Sequence, residues 1–396
     1  MARAKRAQGP ETSDFSEVSD NLLAQYRKQF GEDVAPLQQA EPEWGISLAG
    51  ALPLQYVLGV NVLLLGRSLN IIGPPGGGKT QLSWELARRI VRWPGFINWF
   101  ETENKASLGL LSSIVRMPAS EVMKSVFRFR IKDVKDFKAK ATNTFQNCAL
   151  ISSKRPVMLL VDSLSDLVSP EMIEEMEAND PEGGGFAEAR LAAELTRWFK
   201  AVNMRYMSLQ PRLSLVFINH QKVDLNSQSK PGAPPNKTTG SGGKHKDYQA
   251  TWTIEVREGR PEEQVGSINT MHFMEMIKNS MGPGHRKIQY YVRHFLDKET
   301  QERITEFDWN DSLVRLLSEA SAEIRKDILG LDGKGNQWTC KAVGMKEESR
   351  SDVGRAIHAD PKLVEQLQKL LYIEMHREFL PPEEKKKGEA REDGIN

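Results

Sequence analysis

One eight-residue segment, GPPGGGKT, constrains this sequence more than any other feature. It begins at Gly73, ends at Thr80 and matches the spacing G-x-x-x-x-G-K-[ST] in full. The apolar run at residues 67–72 predicts a strand, and the pattern over residues 81–93 predicts a helix. Glycines at this spacing let backbone N–H groups converge on one anion at the start of the helix. The segment therefore predicts a nucleotide phosphate-binding loop, or P-loop; a glycine-rich turn with a chance lysine is the alternative.

A carboxylate after the most apolar predicted strand suggests a metal ligand. That strand covers residues 157–161 and leads into Asp162. With Lys79 reaching the β and γ phosphates, Asp162 and the Thr80 hydroxyl would bind Mg²⁺. A carboxylate that only caps the strand would leave the same pattern. The predicted cofactors are ATP and Mg²⁺, and the predicted cofactor-binding residues are Gly73, Pro74, Pro75, Gly76, Gly77, Gly78, Lys79, Thr80, Gln81 and Asp162.

Two further predicted strands deliver polar side chains to their ends. Residues 96–100 lead into Glu101 and Glu103, and residues 213–218 lead into a polar trio that contains His220. Hydrolysis requires a group that orients or deprotonates water beside the γ-phosphate. Spacing alone does not choose between the two glutamates, and a salt-bridged surface pair would look the same. The trio with His220 could sense the γ-phosphate or cap its strand.

Strands and helices alternate from about residue 44, and the strands are almost continuously apolar. This pattern predicts an α/β protein with a mostly parallel twisted sheet between helices. The predicted divisions are a flexible tail (1–17), an N-terminal helix and linker (18–43), an ATPase core (44–308), a helical C-terminal region (309–380) and a charged tail (381–396).

Composition narrows the class of protein. A hydrophobic content of 39% with 27% charged residues is typical of a soluble globular protein. The formal net charge of +1 means that any nucleic-acid surface must be local. Cys148 and Cys340 stand far apart, which favours a reducing cytosol over a disulfide framework. No apolar stretch approaches the roughly eighteen residues of a membrane span, so no membrane partner is expected.

Together and in this order, the segments resemble the RecA family of homologous-recombination ATPases. The resemblance extends from about residue 20 to 295 and is nearest to the phage UvsX-type recombinases. Beyond the P-loop it rests on residues 25–31 (QYRKQFG), 65–73 (LGRSLNIIG), 161–167 (VDSLSDL), 217–220 (FINH), 265–267 (VGS) and 277–279 (IKN).

The resemblance implies catalytic roles for four residues, of which Lys79 is the P-loop lysine. Glu103 takes the place of the family's water-activating glutamate. His220 takes the place of a glutamine that links the γ-phosphate to the second DNA loop, and UvsX-type members have histidine there. Lys278 aligns with a lysine that reaches the ATP of a neighbouring subunit, like an arginine finger. Leu110 stands near the position where bacterial RecA stacks a tyrosine on adenine.

Two irregular stretches, residues 169–186 and 223–246, correspond to the family's DNA loops. The first is acidic, and Phe186 could wedge between bases or anchor a buried helix start. The second is rich in lysine and could neutralise phosphates or be a solvated loop. The predicted DNA-binding residues are Phe186, Lys222, Lys230, Lys237, Lys244, His245 and Lys246.

The resemblance thus implies a recombinase that assembles head to tail on single-stranded DNA and pairs it with homologous duplex. The helix near residues 22–30 would pack on the next subunit. Single-strand-binding and mediator proteins are conceivable partners, in the cytoplasm at a nucleoid or a phage replication site. Two alternatives stay open: a hexameric RecA-fold helicase that forms closed rings, and a DNA-binding accessory protein that ATP only regulates.

Overall fold

A computed structural model describes most of the chain, which divides into two units, residues 1–44 and 45–396. In the first unit only residues 24, 25, 27 and 28 are described, and these are helical. The rest of the predicted N-terminal helix lies outside the described residues. The described residues of the second unit are 45–60, 62–93, 95–103, 108–148, 155–177, 184–202, 213–223, 237–239, 250–264, 267–282, 284–297, 301, 303–335 and 337–375.

Ten of the described strands form one central sheet in the second unit, and a short strand pair stands beside it. The pair is β1 (Gly45–Ser47) and β2 (Val62–Leu64). The central strands are β3 (Ser68–Gly73), β4 (Phe96–Glu101), β5 (Val126–Arg130), β6 (Val157–Asp162), β7 (Leu213–Val223), β8 (Lys237–Thr239), β9 (Trp252–Gln264), β10 (Ser267–Asn279), β11 (Lys287–Leu296) and β12 (Arg303–Phe307).

Helices connect these strands and cover the sheet. They are α1 (Leu52–Leu58), α2 (Lys79–Arg92), α3 (Leu108–Val115), α4 (Ala119–Ser125), α5 (Val134–Cys148), α6 (Pro170–Glu177) and α7 (Gly184–Val202). The sheet order is β12-β11-β10-β9-β3-β7-β6-β4-β5, and β8 pairs with β7. Neighbours from β9 to β5 run parallel, whereas β9 to β12 are antiparallel. The predicted α/β class with a mostly parallel sheet is confirmed.

The two faces of the sheet bury different aromatic clusters. On one face, α5 contributes residues spaced for a single helical stripe, among them Phe137 and Phe145, which pack near Trp198 of α7. α2 buries Trp84 edge-on against Trp99 of β4, with ring centroids 5.0 Å apart. Because both faces are covered, all six residues of β3 and of β6 are buried.

The C-terminal region, for which the sequence predicted helical structure without bounds, contains helices and also a small sheet that was not predicted. Its helical elements are α8 (Trp309–Glu319), a π-helical turn (Glu323–Ile328), α9 (Arg350–His358) and α10 (Pro361–Met375). An antiparallel sheet of β13 (Leu331–Lys334), β14 (Gln337–Cys340) and β15 (Met345–Glu348) lies between them. Each of these strands has four residues, of which one or two are apolar. This is too few for an alternating pattern of apolar and polar residues to be recognised in the sequence.

One predicted irregular stretch and one predicted strand end were wrong. Residues 170–177 of the first irregular stretch form α6, which Ser169 caps through its hydroxyl: Oγ accepts the Met172 N–H at 3.2 Å. A serine followed by Pro170 is a helix-start signal that could have been recognised. The strand expected to end at residue 218 continues to Val223, because residues 221–223 pair with β8. Among the described residues, no helix is long and apolar enough to cross a membrane.

Candidate nucleotide site

Glycines shape the P-loop between β3 and α2. Gly78, at the N-terminus of α2, has φ +89°, and a Cβ there would lie 2.9 Å from the His272 ring. Gly73 has φ +153°, and a Cβ there would lie 2.1 Å from the Val256 carbonyl oxygen. A residue with a side chain at either position would have a strained backbone conformation, and its Cβ would clash with a neighbouring atom. The loop forms a close-fitting backbone cradle at the end of a buried strand.

Two predicted side chains occupy the inner side of this loop. Lys79 is only 5% exposed, and its Nζ donates to the carbonyl oxygens of Gly73 (3.0 Å) and Pro74 (2.7 Å). Thr80 Oγ1 donates to Asp162 Oδ2 at 2.9 Å. A buried ammonium and a hydroxyl–carboxylate pair thus stand beside one another where α2 begins.

A pocket of about 300 Å³ opens at the ends of β3, β4, β6 and β7. Because these strands are parallel, their carboxyl ends meet at one edge of the sheet. Leu110 is on its wall, where a base-stacking tyrosine was the family expectation. Its lining residues are Pro75, Gly76, Gly77, Gly78, Lys79, Thr80, Gln81, Trp99, Glu101, Glu103, Leu110, Asp162, Ile218 and His220.

The environments of the two glutamates differ, although spacing could not separate them. Glu101 is buried and forms an ion pair with Arg128, whose guanidinium lies 5.5 Å from the Trp99 ring centroid. Glu103 instead approaches His220, with its Oε1 atom 2.7 Å from Nε2. The carboxylate of Glu103 is therefore the one placed beside the histidine on β7.

Thr102, between the two glutamates, joins the ends of β4 and β6. Its N–H donates to the Asp162 carbonyl oxygen (3.0 Å), and its Oγ1 donates to the Ser163 carbonyl oxygen (3.1 Å). The Ser163 N–H donates back to Thr102 Oγ1 at 2.8 Å. These bonds hold Glu103 and Asp162 at a set separation. Sequence reasoning missed this role, because a threonine between two acids carries no distinctive pattern.

His220 is held on several sides. Its backbone pairs with Gly73 in the sheet register, and its N–H donates to Ser165 Oγ at 2.6 Å. Its Nε2 atom lies 3.3 Å from Asp166 Oδ2 as well as 2.7 Å from Glu103. One carboxylate oxygen of Glu103, one of Asp166 and one ring nitrogen of His220 all lie within 4.8 Å of one another. Asp166 was not among the predicted site residues.

The pKa of Asp162 rises to about 6, mainly because the carboxyl group is buried; the Thr80 hydrogen bond opposes the shift and nearby Glu103 adds to it. A divalent cation would offset the cost of that buried charge. A hydroxyl and a carboxylate are oxygen donors, which Mg²⁺ prefers. The donor chemistry of Thr80 and Asp162 therefore fits Mg²⁺.

Exchanging this carboxylate for an amide tests the cost of the buried charge. The folded pKa of about 6 exceeds the value of 3.8 without burial, so the protonated group stabilises the fold at low pH. That stability is lost as the pH rises through 6. In Mg²⁺-free buffer at pH 7.5, we expect Asp162→Asn to raise the free energy of unfolding by about 1–3 kcal/mol. The gain should shrink between pH 6 and pH 4.

Urea unfolding at pH 7.5 and at pH 4 measures the gain in stability of Asp162→Asn. The variant Asp332→Asn, which replaces an exposed carboxylate, is the control. Equal stability of Asp162→Asn and the unaltered protein at pH 7.5 would contradict it. Added Mg²⁺ should raise the free energy of unfolding of the unaltered protein more than that of Asp162→Asn, because only the carboxylate carries a charge that the cation can offset.

His272, a buried residue of β10, contacts the backbone of the P-loop. Its Nδ1 atom lies 3.2 Å from the Gly77 carbonyl oxygen, to which it can donate, and its ring stacks on Tyr290 with centroids 5.2 Å apart. Burial lowers the pKa of His272 to about 4. The imidazole is therefore neutral near pH 7, and this support does not change across the neutral range. Sequence reasoning did not identify it.

Lys278 lies away from the pocket of its own chain. It sits on β10 opposite Thr253, which in turn pairs with Asn70 near the start of β3. Its Nζ donates to the Ala250 carbonyl oxygen at 2.7 Å. Ala250 precedes β9, so this bond turns the lysine toward the sheet edge opposite the P-loop.

Few of the predicted DNA-binding residues fall on described parts of the chain. The backbone of Phe186 is within α7, Lys222 is on β7 and Lys237 is on β8, where it pairs with Val223. Four others lie outside the described residues: Lys230, Lys244, His245 and Lys246.

The fold and the pocket define the class of this protein: an α/β protein with a P-loop at the carboxyl end of a parallel strand. Comparison with protein-family models gave no match. The chain is, however, similar at low identity to several proteins named Protein RecA.

The RecA protein of Geobacter metallireducens is 22% identical over 286 residues, which cover 71% of this chain and 77% of that protein. That of Bifidobacterium longum is 24% identical over 307 residues, covering 72% and 68%. That of Rhizobium leguminosarum bv. viciae is 23% identical over 293 residues, covering 71% and 74%. The chain is thus a distant relative of these RecA proteins, and identities of 22–24% do not show the UvsX-type subclass.

Proposed function

We propose that this protein is an ATP-dependent DNA recombinase that forms helical filaments on single-stranded DNA and pairs it with homologous duplex. One observation carries the proposal. Glu103 and His220 meet beside the P-loop, whereas Lys278 lies toward the opposite sheet edge. A site with its base in one protomer and its finger lysine in the next suits a head-to-tail assembly. The RecA likeness supports this reading.

In the proposed reaction, the P-loop backbone and Lys79 bind the ATP phosphates. Mg²⁺, held by Thr80 and Asp162, would supply charge neutralisation on them. Glu103 orients water and accepts its proton. His220, which is part of β7, contacts the γ-phosphate and changes position when the phosphate is lost. Because β7 leads directly to the second predicted DNA loop, a movement of His220 would reach the DNA.

The stretches at residues 169–186 and 223–246 are proposed to contact DNA, although the first also contains α6. Phe186 would contact bases, and the basic residues from Lys222 to Lys246 would contact phosphates. The UvsX-type assignment, which rests on His220, remains a prediction. So do the single-strand-binding and mediator partners and the location at a nucleoid or phage replication site.

Homologous pairing is the test of this function. With ATP and Mg²⁺, the purified protein should join a labelled single strand to a homologous duplex and not to an unrelated duplex of equal length. Unwinding of duplex without pairing would favour the ring helicase. DNA binding without pairing or hydrolysis would favour the accessory protein.

Mixing two inactive variants tests the position of Lys278. Lys278→Ala keeps Glu103, and Glu103→Gln keeps Lys278, so each variant alone should hydrolyse little ATP on DNA. In an equal mixture, random head-to-tail assembly brings an intact Glu103 next to an intact Lys278 at about a quarter of the interfaces. We therefore expect the mixture to recover about a quarter of the normal rate, by that same count. No recovery would contradict a finger lysine supplied by the neighbour.

A further inference from the structure

Asp166 lies at the end of a short 3₁₀ turn, Leu164–Asp166, that follows β6. Its Oδ2 atom accepts a hydrogen bond from Ser163 Oγ and lies 3.3 Å from His220 Nε2. The preceding residue, Ser165, accepts the backbone N–H of His220 at 2.6 Å. One turn of chain therefore holds both the backbone and the ring of His220.

We propose that Asp166 is a positioning residue of the hydrolytic site, whose carboxylate holds the His220 ring against Glu103. This inference rests on the proposed function, in which His220 and Glu103 act on ATP. Asp166 does not line the nucleotide pocket, so it acts through His220. It differs from Asp162, which lies four residues earlier and is bonded to Thr80.

The charges around the imidazole support this role. His220 faces the carboxylates of Asp166 and Glu103, and it also interacts electrostatically with Lys79, which opposes its protonation, and with Asp162. The hydrogen bond with Asp166 is the largest influence, and it raises the pKa of His220 above its usual value despite partial burial. Burial disfavours ionisation of Asp166, but bonds from His220 and Ser163 outweigh it and lower the pKa of that carboxyl. Asp166 therefore favours a protonated imidazole.

A protonated His220 bound to Glu103 restrains hydrolysis. A carboxylate that accepts a hydrogen bond from an imidazolium is a weaker base toward water. His220 must turn from Glu103 to the γ-phosphate before Glu103 can accept a proton. Asp166 thus keeps His220 protonated and bound to Glu103. Loss of the Asp166 charge should free His220 from Glu103 more readily.

The direct test is the pKa of His220 in the full-length protein. Histidine-selective NMR would follow the seven imidazoles, and the resonance missing from His220→Gln identifies His220. Because an opposite charge at this distance shifts a pKa by about one unit or more, Asp166→Asn should lower the His220 pKa by about one unit. Asp166→Glu should keep most of the shift, and the remote exposed variant Asp332→Asn should keep all of it.

The rate of DNA-independent ATP hydrolysis gives the second readout. It should rise with pH as His220 loses its proton, and in Asp166→Asn that rise should occur about one unit lower, matching the pKa change. An unchanged His220 pKa, or a changed pKa with an unchanged rate profile, would overturn the inference. If the unaltered protein hydrolyses no ATP, the proposed function fails instead. The NMR titration then still decides whether Asp166 holds the charge on His220.

Discussion

Glu103→Gln is expected to lower DNA-stimulated ATP hydrolysis by about 10²–10⁴-fold, the usual contribution of a general base. Glutamine keeps the shape of the side chain, and its carbonyl oxygen can still accept from His220. It cannot take a proton from water. Nucleotide binding should persist, because Glu103 is not part of the P-loop. Single-turnover hydrolysis measured beside nucleotide affinity separates the two effects.

The matched control is Glu101→Gln, two residues earlier at the same strand end. Glu101 also lines the pocket, but its carboxylate pairs with Arg128 and not with His220, so its loss disturbs a buried ion pair and leaves the Glu103 carboxylate in place. We expect this variant to fold less stably but to keep hydrolysis within about tenfold, because its effect on the base is only indirect. If Glu101→Gln lost as much activity as Glu103→Gln, or if Glu103→Gln lost none, the assignment of the base would be wrong.

Lys79→Ala should weaken ATP binding by about 10- to 100-fold, since a hydrogen bond from a charged group contributes about 1.5–3 kcal/mol. The ammonium is buried against Gly73 and Pro74, so a phosphate reaching it exchanges one set of acceptors for another. Hydrolysis should fall further than binding, because charge develops on the transferred phosphoryl group.

Titration with a fluorescent ATP analogue measures the loss of binding. Lys124→Ala is the matched control: this lysine is 69% exposed on α4 and should be dispensable. Thermal unfolding of both variants checks that the two carbonyls left behind by Lys79 do not unfold the protein. Normal ATP affinity of folded Lys79→Ala would contradict the assignment of the P-loop.

The strands β3, β4 and β6 could be predicted because each is a short, almost wholly buried run of mainly apolar residues. Residues 157–161 were expected as a strand, and β6 spans Val157–Asp162 with every residue buried. The P-loop was equally readable, since both its glycine spacing and its flanking elements are local. Lys79, Thr80 and Asp162 accordingly lie together as expected.

The finer geometry of the site depends on contacts between distant segments, which spacing does not encode. Glu101 and Glu103 are distinguished by their partners, since Arg128 on the neighbouring strand β5 pairs with Glu101 and His220 on β7 contacts Glu103. His220 meets Glu103 and Asp166 because β7, β4 and β6 end at one edge of the sheet. Sequence patterns placed His220 near a strand end, but they gave no reason to select Asp166.

The C-terminal region shows a different limit. Its small sheet joins strands of four residues, and their apolar side chains pack with α8 and α9 into a separate core cluster. Leu313 and Val353 from these helices and Cys340 from β14 are fully buried there. The sequence predicted a helical region here without bounds for its helices, whereas the strands depend on this tertiary packing and have too few residues to show a period.

Negative-stain electron microscopy on single-stranded DNA, with a slowly hydrolysed ATP analogue, tests the proposed assembly most directly. The expected result is extended helical filaments with the unaltered protein and with Lys124→Ala, and none with Lys79→Ala. Closed six-fold rings, or filaments that form equally well with Lys79→Ala, would contradict an ATP-dependent recombinase filament.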